Sequence, residues 1–330
     1  MNLEKVVFGF FIMVTMNEMG MFTAQDRSIL ASNLLKLFFA IGFAGLGKMG
    51  GPMAGNLVGA GHRVLGFDVV AEACAQAAEA GVEVVDELAA IADGASVVIT
   101  MLPNGDLVRG CYEGADGLMA AVSPETVLVD SSTIDVFDAR DLQAAAADAG
   151  LQAIDAPVSG GVVGAEAASL TFMVGGEEDA LTVARPALEA MGKRIVHCGP
   201  AGSGQAAKAC NNMLLAISMI GTCEAFALAD KLGLDARKFF EIAGQSSGQC
   251  WSITSYAPVA GLVPSAPSNR NFEGGFLTSL MLKDLRLAHE AASSVDAQTP
   301  LGAHALDLYE RFVAANGGGR DFSSIIESLR

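Results

Sequence analysis

FAIGFA (39–44) runs directly into Gly45-Leu46-Gly47-Lys48-Met49-Gly50, a helical stretch continues to Ala60, Gly61 stops it, and RVLGFD (63–68) follows. A bare G-x-G-x-x-G is a weak signal, but strand, glycines, helix and second strand in that order form the context of a dinucleotide-binding turn. Gly45 permits the tight turn, Gly47 lets a pyrophosphate approach the backbone, and Gly50 lets the helix pack on the strand. Leu46 and Met49 belong to the same cofactor loop. Pro52 in the first helical turn costs no hydrogen bond, because that N–H has no partner inside the helix. Asp68 closes the second strand, where a carboxylate accepts hydrogen bonds from the adenosine ribose and repels a 2′-phosphate; NAD is therefore preferred over NADP.

Around this unit the chain continues in the same style as far as residue 200. Short β-branched runs, SVVITML (96–102), TVLVDS (126–131), QAIDA (152–156), LTFMVG (170–175) and RIVHCG (194–199), alternate with alanine-rich helical stretches such as 71–80 and 180–191. That alternation predicts βαβ units and a doubly wound parallel sheet, a Rossmann dinucleotide-binding domain over 37–200. After GPAGSG (199–204) the period changes to helical spacing in 205–232, 277–292 and 301–315, so 201–330 reads as an all-helical domain for substrate binding and oligomerisation. NGGG (316–319) reads as a mobile joint before a short C-terminal helix.

Composition excludes several classes. The 330 residues are 52% hydrophobic and carry 20 Lys and Arg against 37 Asp and Glu, a net charge of −17, with no basic cluster to track a phosphate backbone; nucleic acid is not an expected partner. Six widely spaced cysteines without a C-x-x-C pair, and four histidines, suggest neither a metal site nor a disulfide framework, and they fit a reducing compartment. The apolar runs 6–16 and 37–46 are too short to span a membrane. Residues 1–36 read as an extension of unknown role: VVFGFFIMVTM (6–16) resembles a signal-peptide core but no small-x-small site follows it, and the segment is too acidic for a mitochondrial presequence.

Three further places suit chemistry. Leu102-Pro103 and Ser131-Ser132-Thr133 fall at the carboxyl edge of the sheet, where ligands of such sheets lie. Ser159-Gly160-Gly161, also past a strand end, offers unencumbered backbone N–H groups and a hydroxyl for a small carboxylate, or is a plain turn. Lys208 and Asn212, four apart in GSGQAAKACNN, share one helix face. The lysine either snorkels to solvent or is held in a site, where partial desolvation would lower its pKa and make it a general base.

Taken together, GFAGLGKMGGPMAGNLVGAGH (42–62), MLPNG (101–105), VDSSTID (129–135), DAPVSGGVVGAEAASLTFMVGG (155–176), the 202–235 helix, SSGQCWSITSYAPVAG (246–261) and GGFLTSLMLKDLRLA (274–288) resemble the β-hydroxyacid dehydrogenase family. The resemblance implies an N-terminal Rossmann domain followed by an all-α domain of the 6-phosphogluconate dehydrogenase type. It implies Lys208 as catalytic lysine with Asn212 as its polar partner, and Ser159, Gly160 and Gly161 as the substrate-carboxylate site. Leu102, Pro103 and Thr133 line the nicotinamide half in this comparison, and Lys283 closes over it. Which of Asn104-Gly105-Asp106-Leu107 touches the cofactor stays open. KACNNMLLAISMIGTCEA (208–225) and the stretch 246–287 imply NAD-dependent oxidation of 3-hydroxyisobutyrate, with a substrate side pocket near Trp251 and Phe276. The alternatives are reduction of tartronate semialdehyde or of a related short 3-hydroxy acid semialdehyde on the same scaffold, or a dinucleotide-binding module without chemistry. A homodimer or homotetramer is expected from the apolar helical half. The expected location is the cytoplasm, or the mitochondrial matrix in a eukaryote.

Overall fold

The computed structural model describes residues 40–329, so the extension 1–36 lies outside the described residues. Two compact units emerge, one of 40–132 with 140–201, the other of 133–139 with 202–329.

In the first unit, strands β1 (Ala40–Ala44), β2 (Arg63–Phe67), β3 (Glu83–Val84), β4 (Ala95–Thr100), β5 (Val127–Asp130) and β6 (Gln152–Asp155) lie in the order β3-β2-β1-β4-β5-β6, all parallel. Crossing them are helices α1 (Gly50–Gly59), α2 (Ala71–Glu79), α3 (Gly105–Tyr112), α4 (Leu118–Ala121) and, from Arg140 onward, α5 (Val136–Asp148), whose first turn belongs to the second unit. The strand order reverses between β1 and β4, which puts the crevice at the carboxyl ends of the strands beside Gly45 and Met101. Both sheet faces are covered, so β1, β4 and β5 read as mostly apolar runs; Ile41, Phe43, Val97, Ile99, Val127 and Val129 fill the core with Met53 and Leu57 of α1.

The sheet departs from the all-parallel expectation at one end. After β7 (Val158–Ser159) and the short α6 (Gly161–Glu166), strand β8 (Leu170–Gly175) runs antiparallel to β6 and β7. A parallel return needs a crossover of a dozen or more residues, usually with a full helix. Six helical residues are too few, so the chain reverses. A true crossover follows: α7 (Glu178–Met191) returns the chain to β9 (Gly192–Gly199), parallel to β8.

The second unit is built on α8 (Ser203–Lys231), with α9 (Ala236–Ala243), α10 (Trp251–Thr254), α11 (Thr278–Ser294), α12 (Pro300–Asn316) and a 3-10 turn, Phe322–Ser328, around it. By length and composition α8 could cross a membrane, which the two shorter apolar runs did not anticipate; half of its most apolar 18 residues are buried in the unit. One stripe of α8 explains its length. Gln205, Lys208 and Asn212 begin it, and Ala216, Met219, Cys223 and Phe226 continue it at the same spacing, packing with Met281, Leu285, Ala305, Tyr309, Phe312, Phe322 and Ile325. The NGGG segment is tied down rather than a free joint: the Gly318 carbonyl accepts from Ser279 N at 3.1 Å, and the Arg320 carbonyl from Thr278 N at 2.8 Å.

Candidate active site

In the first unit the glycine loop is shaped by backbone contact. Gly45 has φ +93° and its N–H donates to the Phe67 carbonyl at 2.9 Å. A Cβ at Gly45 would lie 2.3 Å from the Met101 carbonyl, and one at Gly50 would lie 1.8 Å from the Gly45 oxygen. At Gly47, by contrast, a Cβ would meet no protein atom within 4 Å, so the backbone there faces open space. Asp68 ties the loop to the second strand: one carboxylate oxygen accepts from Leu46 N at 2.7 Å and the other from Val70 N at 2.8 Å. Each oxygen keeps a second lone pair for a ribose hydroxyl. Open backbone at the start of a helix and an acid at the next strand end fit a dinucleotide.

The neighbouring strand ends are organised by a buried network that sequence reading missed. Asp130 is buried at the end of β5; its Oδ1 accepts from the Thr100 hydroxyl at 2.8 Å and from Ser132 N at 3.1 Å. Tyr112 contacts Thr100 through its hydroxyl at 3.4 Å, and Ser132 Oγ accepts from Leu102 N at 2.9 Å. Thus the Leu102-Pro103 turn hangs on the Asp130 network. Burial pushes the Asp130 carboxyl up to about 6 against the hydrogen bonds from Ser132 and Thr100, and Asp155 on the adjacent strand adds to the rise. Oδ2 has no partner. An acid directly after the apolar run Val127-Leu128-Val129 was the available signal. Asn104 turns out to cap α3, its Oδ1 accepting from Leu107 N at 3.0 Å.

Ser159 ends β7 half-buried; Gly160 and Gly161 follow exposed at φ +138° and +62°. Asn56 of α1 donates to the Ala165 carbonyl at 2.6 Å, fixing the short helix after this turn against the helix of the glycine loop.

The second unit gathers a different set of residues. Lys208 and Asn212 are both buried on α8, so the lysine is held rather than snorkelling. Asn212 Nδ2 donates to Asp284 Oδ2 at 2.5 Å, and Asn212 Oδ1 accepts from Asn211 Nδ2 at 2.9 Å, which fixes the amide's orientation. Lys283 Nζ donates to the Thr133 carbonyl at 2.8 Å and lies 3.9 Å from Asp284 Oδ1. Gln205 Oε1 accepts from Ile134 N at 3.2 Å, so 133–139 is stitched to the helical unit. Burial lowers the Lys208 pKa; the Asp284 carboxylate opposes this and the Lys283 cation adds to it. Asp284 was not singled out from the sequence, although it lies on the stripe of α11 whose other buried members are Thr278, Met281, Leu285 and Ala288. An acid on a core stripe was the signal. Thr133 is thereby brought to Lys283, and Lys208 to Asn212, with Asp284 between the two lysines in charge.

Comparison with known proteins decides the family. Residues 40–199 match the NAD-binding domain of 6-phosphogluconate dehydrogenase, and residues 202–329 match the NAD-binding domain of NADP-dependent 3-hydroxyisobutyrate dehydrogenase. The chain belongs to the β-hydroxyacid dehydrogenase family. A solved structure of Mycobacterium tuberculosis 3-hydroxyisobutyrate dehydrogenase with L-serine is similar to this member at 51% identity and a TM-score of 0.84, covering 89% of this chain and 99% of that one. The human mitochondrial 3-hydroxyisobutyrate dehydrogenase is 46% identical over 88% of this chain and 86% of its own. An NAD-dependent L-serine dehydrogenase of Pseudomonas aeruginosa is 47% identical over 86% of this chain and 96% of its own. This β-hydroxyacid dehydrogenase is thus an NAD-dependent oxidoreductase of 3-hydroxy acids, with a Rossmann domain followed by a helical domain.

Proposed function

We propose that the protein oxidises 3-hydroxyisobutyrate to methylmalonate semialdehyde with NAD, a step of valine breakdown, and that Lys208 is the general base. Lys208 carries this reading: a lysine buried on the core stripe of α8, with an oriented amide and a carboxylate beside it, has few structural uses and one evident chemical use. The NAD, when bound, accepts a hydride from the carbon bearing the hydroxyl. Lys208 does the proton work. Its burial leaves a larger neutral fraction than an ordinary lysine has, so its amine takes the hydroxyl proton, and the resulting cation faces the Asp284 carboxylate. Asn212, held by Asp284 and Asn211, offers the substrate a polar group of fixed orientation.

The remaining roles follow the resemblance and the local geometry. The substrate carboxylate is assigned to Ser159, Gly160 and Gly161, where two left-handed glycines expose backbone. Gly45, Leu46, Gly47, Met49 and Gly50 take the pyrophosphate, and Leu102, Pro103, Thr133 and Lys283 the nicotinamide half. Asp68 selects NAD over NADP, since a 2′-phosphate there would meet a carboxylate and the apolar, exposed Val69 and Val70 rather than a cation. By the resemblance alone, Trp251 and Phe276 are assigned to the side pocket for the substrate methyl.

A second reading is L-serine oxidation, favoured by the relative named for that substrate and by the solved structure titled with it. An ammonium group in place of the methyl is best matched by a hydrogen-bond acceptor, and Trp251 and Phe276 offer it only ring faces. Initial rates with NAD across 3-hydroxyisobutyrate, L-serine, D-glycerate and 3-hydroxypropionate, with NADP alongside, test the choice. The highest kcat/KM is expected for 3-hydroxyisobutyrate with NAD. A preference for L-serine, or for D-glycerate as tartronate semialdehyde reduction requires, would overturn the substrate and leave the family intact; no turnover with any of them would favour a binding module.

The exposed Leu214, Leu228, Leu232 and Ile242 of α8 and its surroundings support a homodimer or homotetramer. Sedimentation should give a multiple of 33.8 kDa, and the monomer mass would contradict it. No disulfide joins the six cysteines among the described residues, and the proposed location is the cytoplasm or the mitochondrial matrix.

A further inference from the structure

The two aromatic residues assigned to the substrate wall are joined by one buried carboxylate from the end of the chain. Asp321 is fully buried, and its Oδ2 accepts from the Tyr256 hydroxyl at 2.7 Å and from Phe276 N at 2.8 Å. Its Oδ1 is taken by Ser323, from N at 2.9 Å and from Oγ at 2.5 Å. The Tyr256 ring stacks on Trp251 with centroids 4.6 Å apart, and Phe322 lies 5.5 Å from Tyr256 and 5.8 Å from Phe276. One carboxylate thus fixes Phe276 through its backbone and Trp251 through a tyrosine, with Phe322 filling the space between them.

The loop leading to Phe276 is built to be held. Asn271 and Phe272 have φ +53° and +61°, conformations that L residues rarely adopt without external support. Gly275 has φ +73°, and a Cβ there would lie 2.2 Å from Asp321 Oδ2 and 2.5 Å from the Tyr256 hydroxyl. The carboxylate therefore occupies the space a side chain would need. From the far side, Asp321 N donates to the Phe272 carbonyl at 2.9 Å and Phe322 N to the Phe276 carbonyl at 2.8 Å, while Arg320 stacks over the Phe272 ring at 5.2 Å. Trp251 itself is 49% exposed, so apart from Tyr256 little restrains its outer face.

We propose that Asp321 and Tyr256 are positioning residues for substrate selection, locking Trp251 and Phe276 into one rigid wall that discriminates the branched substrate from an unbranched one. This rests on the assignment of Trp251 and Phe276 to the substrate wall. A methyl in a well-shaped apolar pocket is worth roughly 10–200-fold in kcat/KM, and a loosened wall forfeits part of it. The quantity to measure is the ratio of kcat/KM for 3-hydroxyisobutyrate over 3-hydroxypropionate, with KM and kcat resolved, in the full-length enzyme.

Tyr256→Phe keeps the stacked ring and removes the hydroxyl that Asp321 holds. The ratio should fall by about fivefold through a raised KM for the branched substrate, with kcat for 3-hydroxypropionate and KM for NAD within about twofold of wild type. Asp321→Asn should do the same more strongly, and Tyr256→Phe decides the matter if that variant does not fold. Trp251→Ala is the control for the underlying reading. If Trp251→Ala lowers the ratio and Tyr256→Phe leaves it unchanged, the positioning role is overturned and the wall stands. If Trp251→Ala also leaves it unchanged, the wall assignment falls and the positioning role with it.

Discussion

The glycine loop and the Lys208 cluster do their work by opposite means. In the loop, function lies in atoms that are missing: no side chain at Gly47 to obstruct the backbone, none at Gly50 to strike the Gly45 carbonyl. In the cluster it lies in side chains placed where apolar ones would pack as well, with Lys208, Asn212 and Asp284 on the core stripes of α8 and α11. A site made of backbone is broken by adding atoms, and a site made of buried charge by removing them. The two should therefore respond to mutation in separable ways, one in cofactor affinity and stability, the other in turnover.

The sharpest break is Lys208→Ala. Loss of a general base costs roughly 10²–10⁴ in rate, so kcat should fall into that range while NAD affinity, titrated separately, stays within about twofold. Equal loss of both would erase the distinction. Gly50→Ala is the reciprocal change: a Cβ 1.8 Å from a carbonyl forces the turn apart. Destabilisation of about 1–3 kcal/mol in denaturant titration and a marked loss of NAD binding are expected, with residual kcat at saturating NAD much less affected.

Asp130→Asn sharpens the comparison at the strand ends, where buried charge and backbone meet. The carboxyl is raised to about 6, so the native state keeps a proton that the unfolded chain has released; stability falls as pH rises from about 4 through 6, and the cost is fully present above that. Its magnitude is about 3 kcal/mol at most. Because Oδ1 accepts from Thr100 and Ser132 N and Oδ2 has no partner, asparagine preserves these contacts. Thermal unfolding should show the variant more stable than wild type at pH 8, with the gap closing toward pH 4; a gap independent of pH would mean another group titrates. The smallest effect is expected of Asp68→Asn, where loss of charge should weaken NAD by about tenfold and narrow its advantage over NADP, read from KM for each.

The same contrast governs what was legible in the sequence. Backbone requirements leave glycines at fixed offsets, so the loop and Asp68 could be read directly, and Lys208 with Asn212 stood out as polar residues four apart in an apolar run. Asp284 and Gln205 did not, because one polar residue on a helical stripe looks like a surface residue until the stripe's partner is known. Asp130 and Asp321 are still less legible: their partners, Thr100 and Tyr256, lie 30 and 65 residues away. The reversed β8 was missed for another reason, since a strand's residues encode its burial and only the length of its connection encodes its direction.

The central claim, that a lysine held short of its ordinary proton affinity by burial takes the substrate proton, is tested most directly by the pH dependence of kcat/KM in the wild type and in Asp284→Asn. Burial lowers the Lys208 pKa and Asp284 is what raises it, so removing that carboxylate should move the ascending limb to lower pH, from a wild-type limb already below the ordinary lysine range. A limb that stays in place, or moves upward, would show that the titrating base is not Lys208.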